Sequence, residues 1–428
     1  MFEFLPPRVR LQGEPHAGER EARQIAEDFE RFRDGLPRPL EAYVHSAYGL
    51  DLASTYGGWS VKNPFGKGSG QLSLALHQVS KDAEAGLGFT VLKTLIAEDS
   101  SGAQAMHEWA IPETRMSVER IRGKSGKEGW TVTWKGRGWF DTFAAYCDLF
   151  TRSLEAARPA GMLVAPSVKY HLPTPAESFW KEDEYRFTTA RLVEVWRGQN
   201  LSPPMPLEKD FSPTLAGSAR ASEEAKVLEW LEKVPGLVHA ATPRQVSLGL
   251  KLFNTLFEDE FQLRMLNRVI SASPGANRAD FLIYANRLYD PDKVFDGHQG
   301  VAYGGPDLSD RNLAVLERFL DTGKPSSLPL SATGDICSGR VAAEYLLRGV
   351  SSFQMHTVFQ LPDGEYAMRA GSKTEKVLHL VLFHPREGFI AWLLDLRRRF
   401  GWQAGANVGQ IAAWCREHWN TIREAFET

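Results

Sequence analysis

The sequence predicts an α/β protein built as a (β/α)8 TIM barrel, with an N-terminal helical extension and long inserted loops. Three observations lead there. From about residue 50, strand-like apolar runs alternate with amphipathic helical patterns, the rhythm of a parallel sheet. The last third carries two glycine turns in that rhythm, where barrels of this kind commonly place a phosphate site. No G-x-G-x-x-G follows a strand, so the rival doubly wound sheet lacks its usual dinucleotide turn.

Residues 1–50 read as the extension. Glu19 to Phe32 (EREARQIAEDFERF) has the pattern of a charged, mostly exposed helix, ended by Gly35-Leu36-Pro37-Arg38-Pro39. The barrel is expected over residues 51–400 and a C-terminal helix packed on it over 401–428. The strand candidates are WSVKNPFG, GFTVLKTL, WTVTWKG, GMLVAPSV, VSLGLKLF, DFLIYANRL, SLPLSATG and SSFQMHTVF, in that order. Helical periodicity runs through FDTFAAYCDLFTRSLEAA, EAKVLEWLEKV, EFQLRMLNRVISA, DRNLAVLERFLDT and SGRVAAEYLLRG. Two long segments interrupt the rhythm. One is SSGAQAMHEWAIPETRMSVERIRGKSGKEG; the other runs from about Tyr170 to Ser222 and includes NLSPPMPLEKDFSP. Connections of that length serve as lids or subunit contacts.

Composition is that of an ordinary globular protein, 43% hydrophobic and 24% charged. A net charge of -3 gives no basic excess for nucleic acid or an anionic membrane, and Arg397, Arg398 and Arg399 read as a solvated helix face. Cys147, Cys337 and Cys415 lie far apart, which argues against a cysteine-ligated cluster or a disulfide framework. No metal site is expected, because no His/Asp/Glu ligands cluster at metal spacing. No apolar run reaches the ~20 residues of a membrane span, and VLHLVLF is strand-sized. The start of the chain has no secretory pattern, so a cytoplasmic setting is expected.

The strongest local signal is SATGDICSGRVAAEYLLRGVSSFQMHTVF, residues 331–359. It reads as a strand, a Thr333-Gly334 turn, a helix from Ser338-Gly339, and a strand ending at Thr357. A glycine turn lets backbone N–H groups approach an anion, and a helix start adds free donors and partial positive charge. Gly304-Gly305-Pro306 precedes another helix and is a candidate second edge of the same cradle. Each turn alone has a purely structural explanation.

TGDICSGRVAAEYLLRGVSSFQMHT resembles the phosphate-binding stretch of dihydroorotate dehydrogenases and of the flavin domain of dihydropyrimidine dehydrogenases. The resemblance runs in order through Asn63-Pro64-Phe65, Val91-Leu92-Lys93-Thr94, Leu250-Lys251-Leu252, Ala285-Asn286-Arg287 and Gly304-Gly305, covering roughly residues 55–400. It implies an FMN cofactor and hydride transfer between a small polar substrate and flavin N5. Carried over position by position, it places Gly68 and Ser69 near the flavin and Lys93 at the flavin and substrate region. Lys251 falls at the pyrimidine edge of the flavin, where a cation stabilises developing anionic charge. Asn286 falls at a substrate amide-binding position, and Gly304, Gly305, Gly334 and Thr357 at the phosphate. Lys93 and Lys251 sit in apolar strands, where an unpaired lysine is costly, so a ligand-facing role outweighs a core role. Asn286 fits a loop brace equally well, and Asn63 reads as a turn former.

The pattern departs from the family at several places. A fourth strand ending in N-x-S-(C/S)-P-N carries the family's base, and Val164 to His171 is read as that stretch, with Ala165 and Val168 in place of the asparagine and the base. Among its neighbours His171 has the most suitable ordinary pKa for a substitute base, against a structural role. Asp335 replaces the second glycine of T-G-G, and His356 the glycine before Thr357. Trp134 and Trp139 read as barrel packing, and Arg137 as the better functional candidate beside them. The expected function is an FMN-dependent oxidoreductase without the usual base. It would use an electron donor or acceptor that the sequence does not name, and a homodimer is compatible with the family. The alternative is a non-redox barrel that binds a phosphorylated small molecule or serves as an assembly subunit.

Overall fold

The structure is a computed structural model describing residues 6–112, 116–134, 138–211, 220–255, 257–271, 277–295, 297–323, 327–403 and 405–427. A closed parallel barrel forms its centre. The first strand is Phe65–Lys67, and the second is Phe89–Val91 continued by Leu95–Ile96. The third, Leu163–Ala165 continued by Ser167–Lys169, is broken at Pro166, which has no N–H to donate. Then come Met205–Asp210, Val246–Phe253, Phe281–Asn286, Leu330–Thr333 and Ser352–Met355. Each pairs in parallel with the next, and Phe353 of the eighth strand pairs with Phe65 of the first, which closes the ring.

The amino-terminal end of the barrel is plugged by a small hairpin, Ser54–Tyr56 with Trp59–Val61. Tyr56 stacks on Phe89 with ring centroids 4.3 Å apart and meets Phe281 edge-on, at 5.1 Å. These rings form one buried cluster with Val61, Val91, Ala165 and Ile283. Glycines make room for them. A Cβ at Gly66 would lie 2.3 Å from Phe89, and one at Gly249 would lie 2.2 Å from Phe281.

The expected leader helix spans Glu19–Arg31, and a second, Leu40–Tyr48, follows it. Both sit outside the barrel, where Phe29 stacks on His379 at 4.6 Å. Ahead of them, the backbone N–H groups of Val9 and Leu11 donate to Glu317 and Glu344 on two barrel helices. Two helices, Val408–Glu417 and Trp419–Glu427, end the chain where a single one was expected.

Several expectations are corrected. WTVTWKG is not a barrel strand: Glu128–Trp134 pairs antiparallel with Met116–Arg122 in an inserted hairpin. GMLVAPSV is therefore the third strand, and the fourth is Met205–Asp210, inside the stretch read as an interruption. Three of its six residues are charged, yet all six are buried, so hydrophobicity does not reveal it. VLHLVLF ends a helix, Lys373–Phe383, capped by Ser372. Asn63-Pro64-Phe65 leads into the first strand rather than out of it; the Asn63 carboxamide accepts from Phe65 N (3.2 Å) and donates to Gly86 O (2.9 Å), a turn brace. Arg137 and the side chain of Trp134 lie outside the described residues, and Trp139 is buried.

Replacement of Gly249 by alanine is expected to overpack the ring cluster and destabilise the fold by about 1–3 kcal/mol, read as a lower midpoint in urea denaturation.

Candidate functional site

Side chains at alternate strand positions point into a barrel, so its interior fills in layers. Above the aromatic layer lies a polar one centred on Glu208, which is completely buried. Its carboxylate accepts from Lys251 Nζ (3.0 Å), Gln354 Nε2 (2.6 Å) and Tyr56 Oη (3.1 Å), with Ser167 Oγ at 3.4 Å. Lys251 also donates to Gln354 Oε1 at 3.0 Å. The network ties the third, fourth, fifth and eighth strands to the plug. A buried charge is tolerated only when paired and hydrogen-bonded in this way.

The next layer is the floor of a cavity of about 450 Å³ at the carboxyl ends of the strands. Lys93, Asp210 and Lys251 line it. Asp210 accepts from Lys169 Nζ at 2.7 Å. Burial alone would push its carboxyl up, but Lys169 and Lys251 outweigh that and hold it at about 2. Burial, reinforced by the like charge of Lys169 and opposed by Asp210, lowers the Lys93 ammonium to about 7. Lys93 is thus poised between amine and ammonium at neutral pH. Trp109, from the first inserted loop, places its ring 5.3 Å from Lys169 Nζ and lines the cavity beside Glu108.

Two inserted hairpins supply one wall. Met116–Arg122 with Glu128–Trp134 contributes Thr133; Leu288–Phe295 with His298–Tyr303 contributes Tyr289, Gly300, Val301 and Ala302. Arg287 joins the two, its guanidinium donating to Ala302 O (2.8 Å) and to Val132 O. Burial lowers that guanidinium to about 9.

The far end of the cavity lies at the turns after the seventh and eighth strands. Gly334 has φ +123°, and a Cβ there would come 2.5 Å from Asn312 Nδ2. Asn312 donates to Ala285 O and Thr333 O, both at 3.0 Å, and accepts from Asn254 Nδ2 at 3.0 Å, which locks the ends of the fifth, sixth and seventh strands together. Ser338 caps the helix Gly339–Leu347 by accepting from Val341 N. Thr357 opens a short 3-10 turn, Thr357–Gln360. His356 is held neutral chiefly by burial, with Arg287 and Lys93 adding to the effect, and its Nδ1 meets Gln360 Nε2 at 3.0 Å.

Of the residues singled out from the sequence, Gly68, Ser69, Lys93, Lys251, Asn286, Gly304, Gly334 and Thr357 all line this one cavity. Two do not. Gly305 is turned beneath the first inserted hairpin, where a Cβ would lie 2.6 Å from Ile121, so that hairpin covers the second edge expected of the cradle. The N–H of Gly304 is already donated to Thr131 Oγ1 at 2.9 Å. His171 faces away, packed on Phe179 with Nε2 3.3 Å from Glu177, and burial lowers its pKa despite that carboxylate. The reading of Val168 as the lost base also falls, because its strand is the third. The chain after the fourth strand, 212–219, lies outside the described residues. Sequence reasoning missed Asp210, Trp109 and Gln354. The only available signal was the charged triplet Glu208-Lys209-Asp210 in an extended setting.

No family model matches the chain, and none of the curated proteins matches it. Among solved structures it is similar to DHODH, a dihydroorotate dehydrogenase, from Eimeria tenella in complex with ferulenol. The TM-score is 0.53 and the identity 12%, covering 86% of this chain and 92% of that one. The chain has a dihydroorotate dehydrogenase-like fold. Among the described residues no helix is long and apolar enough to cross a membrane, and no group of His, Cys, Asp and Glu is placed to hold a metal ion.

Two outcomes are expected. Lys251→Met should cost about 3–5 kcal/mol by stranding Glu208, and adding Glu208→Gln should recover much of it, as measured by urea denaturation. Lys169→Met should raise the Lys93 titration midpoint by removing a like charge, followed by NMR of ¹³C-methylated lysines.

Proposed function

We propose that the chain is an FMN-dependent oxidoreductase acting on a small polar substrate. The observation that carries this reading is the convergence of Lys93, Lys251, Asn286, Gly334 and Thr357 on one cavity at the carboxyl ends of a dihydroorotate dehydrogenase-like barrel. The volume, about 450 Å³, is within the range of cofactor and ligand pockets.

The residues present fit the group. Lys251, fixed by Glu208 and Gln354, offers a preorganised cation to the anionic edge of a flavin. Gly334 lines the cavity in a backbone conformation, φ +123°, that L side chains rarely adopt, with Asn312 and Leu308 packed where its side chain would be. Bound FMN would supply hydride acceptance and donation. Lys93 and Asn286 would orient the substrate, and the two inserted hairpins with Trp109 would keep water out. With its midpoint at about 7, Lys93 is also a group able to take up or release a proton at the cavity floor. The electron partner is then a free donor or another protein.

The test is spectroscopic. Protein purified as it is made, or equilibrated with FMN and desalted, is expected to show a flavin absorption spectrum at near one equivalent. A colourless protein that takes up no FMN overturns the reading in favour of a non-redox barrel.

A further inference from the structure

The second inserted hairpin walls the cavity, and its two faces differ. Leu288 pairs with Tyr303, and Tyr289 with Ala302. Side chains alternate across a strand, so chain neighbours turn opposite ways. Leu288 and Tyr303 pack with Leu308 in a small buried apolar cluster. Arg287, Tyr289, Gly300, Ala302 and Gly304 line the cavity. Only the first two of that row carry long side chains; the other three leave the wall flat.

Gly300 lies inside a strand with a left-handed backbone, φ +87°. A glycine there weakens the strand and marks a close approach. A Cβ at Gly300 would lie 1.8 Å from Tyr289 Oη. The glycine therefore lets the phenol lie across the hairpin, with its hydroxyl against a residue that itself lines the cavity. The Tyr289 side chain is half-buried, and among the described residues its hydroxyl makes no hydrogen bond. A second hydroxyl repeats the pattern from the first hairpin. Thr133 lines the same cavity and is buried, and its Oγ1 has no hydrogen-bond partner among the described residues. Buried polar groups are normally satisfied, so such a wall is built for a polar ligand. Arg287, oriented by Ala302 O and Val132 O, gives the same row a positive charge and a group that only donates.

Donors on a flat wall suit an anionic oxygen carried by a planar molecule. We propose that Tyr289 is a specificity-determining residue, whose hydroxyl donates a hydrogen bond to an anionic oxygen of a planar substrate lying against Gly300 and Ala302, beside the Arg287 guanidinium. This rests on the flavin reading above and adds to it the wall that reads the substrate.

The experiment uses the full chain loaded with FMN. The probes are benzoate, a planar carboxylate, and benzamide, its uncharged counterpart, each titrated while the flavin absorption spectrum is followed. The parent is expected to bind benzoate more tightly than benzamide. Tyr289→Phe removes one oxygen and leaves the ring, so FMN content and melting temperature should match the parent. Its benzoate dissociation constant should rise about tenfold, the loss of a hydrogen bond to a charged acceptor, and its benzamide constant by less. Gly300→Ala keeps the hydroxyl but drives it from its place, and should weaken benzoate as well. Equal benzoate affinity in the parent and Tyr289→Phe overturns the assignment and leaves the flavin reading standing. So does a loaded parent that binds no benzoate, and so does a Tyr289→Phe chain that loses its FMN, which would put the hydroxyl on the cofactor instead. A parent chain that takes up no FMN overturns the two together.

Discussion

A carboxylate buried at the centre of a barrel must be neutralised where it sits, and Glu208 imposes that requirement on this structure. Lys251, Gln354, Tyr56 and Ser167 converge on it from three strands and the plug. Desolvating a lone carboxylate costs several kcal/mol, so the register of those strands and the seating of the plug are coupled to this one contact. The same contact decides which way the Lys251 ammonium faces. It stands between Glu208 below and the cavity above, and so presents a fixed positive charge to any ligand in the mouth of the barrel.

Above that layer the charges are balanced more loosely. Lys169 satisfies Asp210, and burial, with the field of Lys169 added to it, weakens the hold of Lys93 on its proton. A lysine near neutrality is a product of its neighbours rather than of its own strand: Val91-Leu92-Lys93-Thr94 by itself carries no sign of it. The inserted hairpins act in a similar way on the other wall. By packing over the start of the helix Pro306–Asp321, they place Ile121 against Gly305 and turn a turn that would otherwise be available to an anion into a packing position. What lines the cavity at that end is the Gly334 turn and the Thr357 turn.

Much of the site was legible because its members fall at strand ends with unusual residue types. Lysines in apolar strands and glycines before helices are each costly or strained unless something requires them, and Lys93, Lys251 and Gly334, which stand out on that basis, line one cavity. The fourth strand was not legible. Met205–Asp210 carries Glu208, Lys209 and Asp210 in succession, and a reading by apolar periodicity assigns such a run to solvent. In the folded barrel, Glu208 and Asp210 pair inward with Lys251 and Lys169, while Lys209 lies among Tyr170 and Phe211 on the outer face. Missing that strand promoted the hairpin segment WTVTWKG into the barrel and moved the presumed base position onto Val168. His171 was then drawn into the site by counting along the wrong strand.

The sequence by itself determined the class of fold, the order of its glycine turns and the lysines at two strand ends, because local propensity and the cost of burying charge act on near neighbours along the chain. Only the tertiary structure decided which charges neutralise one another, which strand is fourth, and which glycines face the cavity. Those outcomes depend on distances between residues as far apart as Tyr56, Glu208 and Gln354, and electrostatic energy in a barrel interior is set by such distances rather than by the residues taken singly.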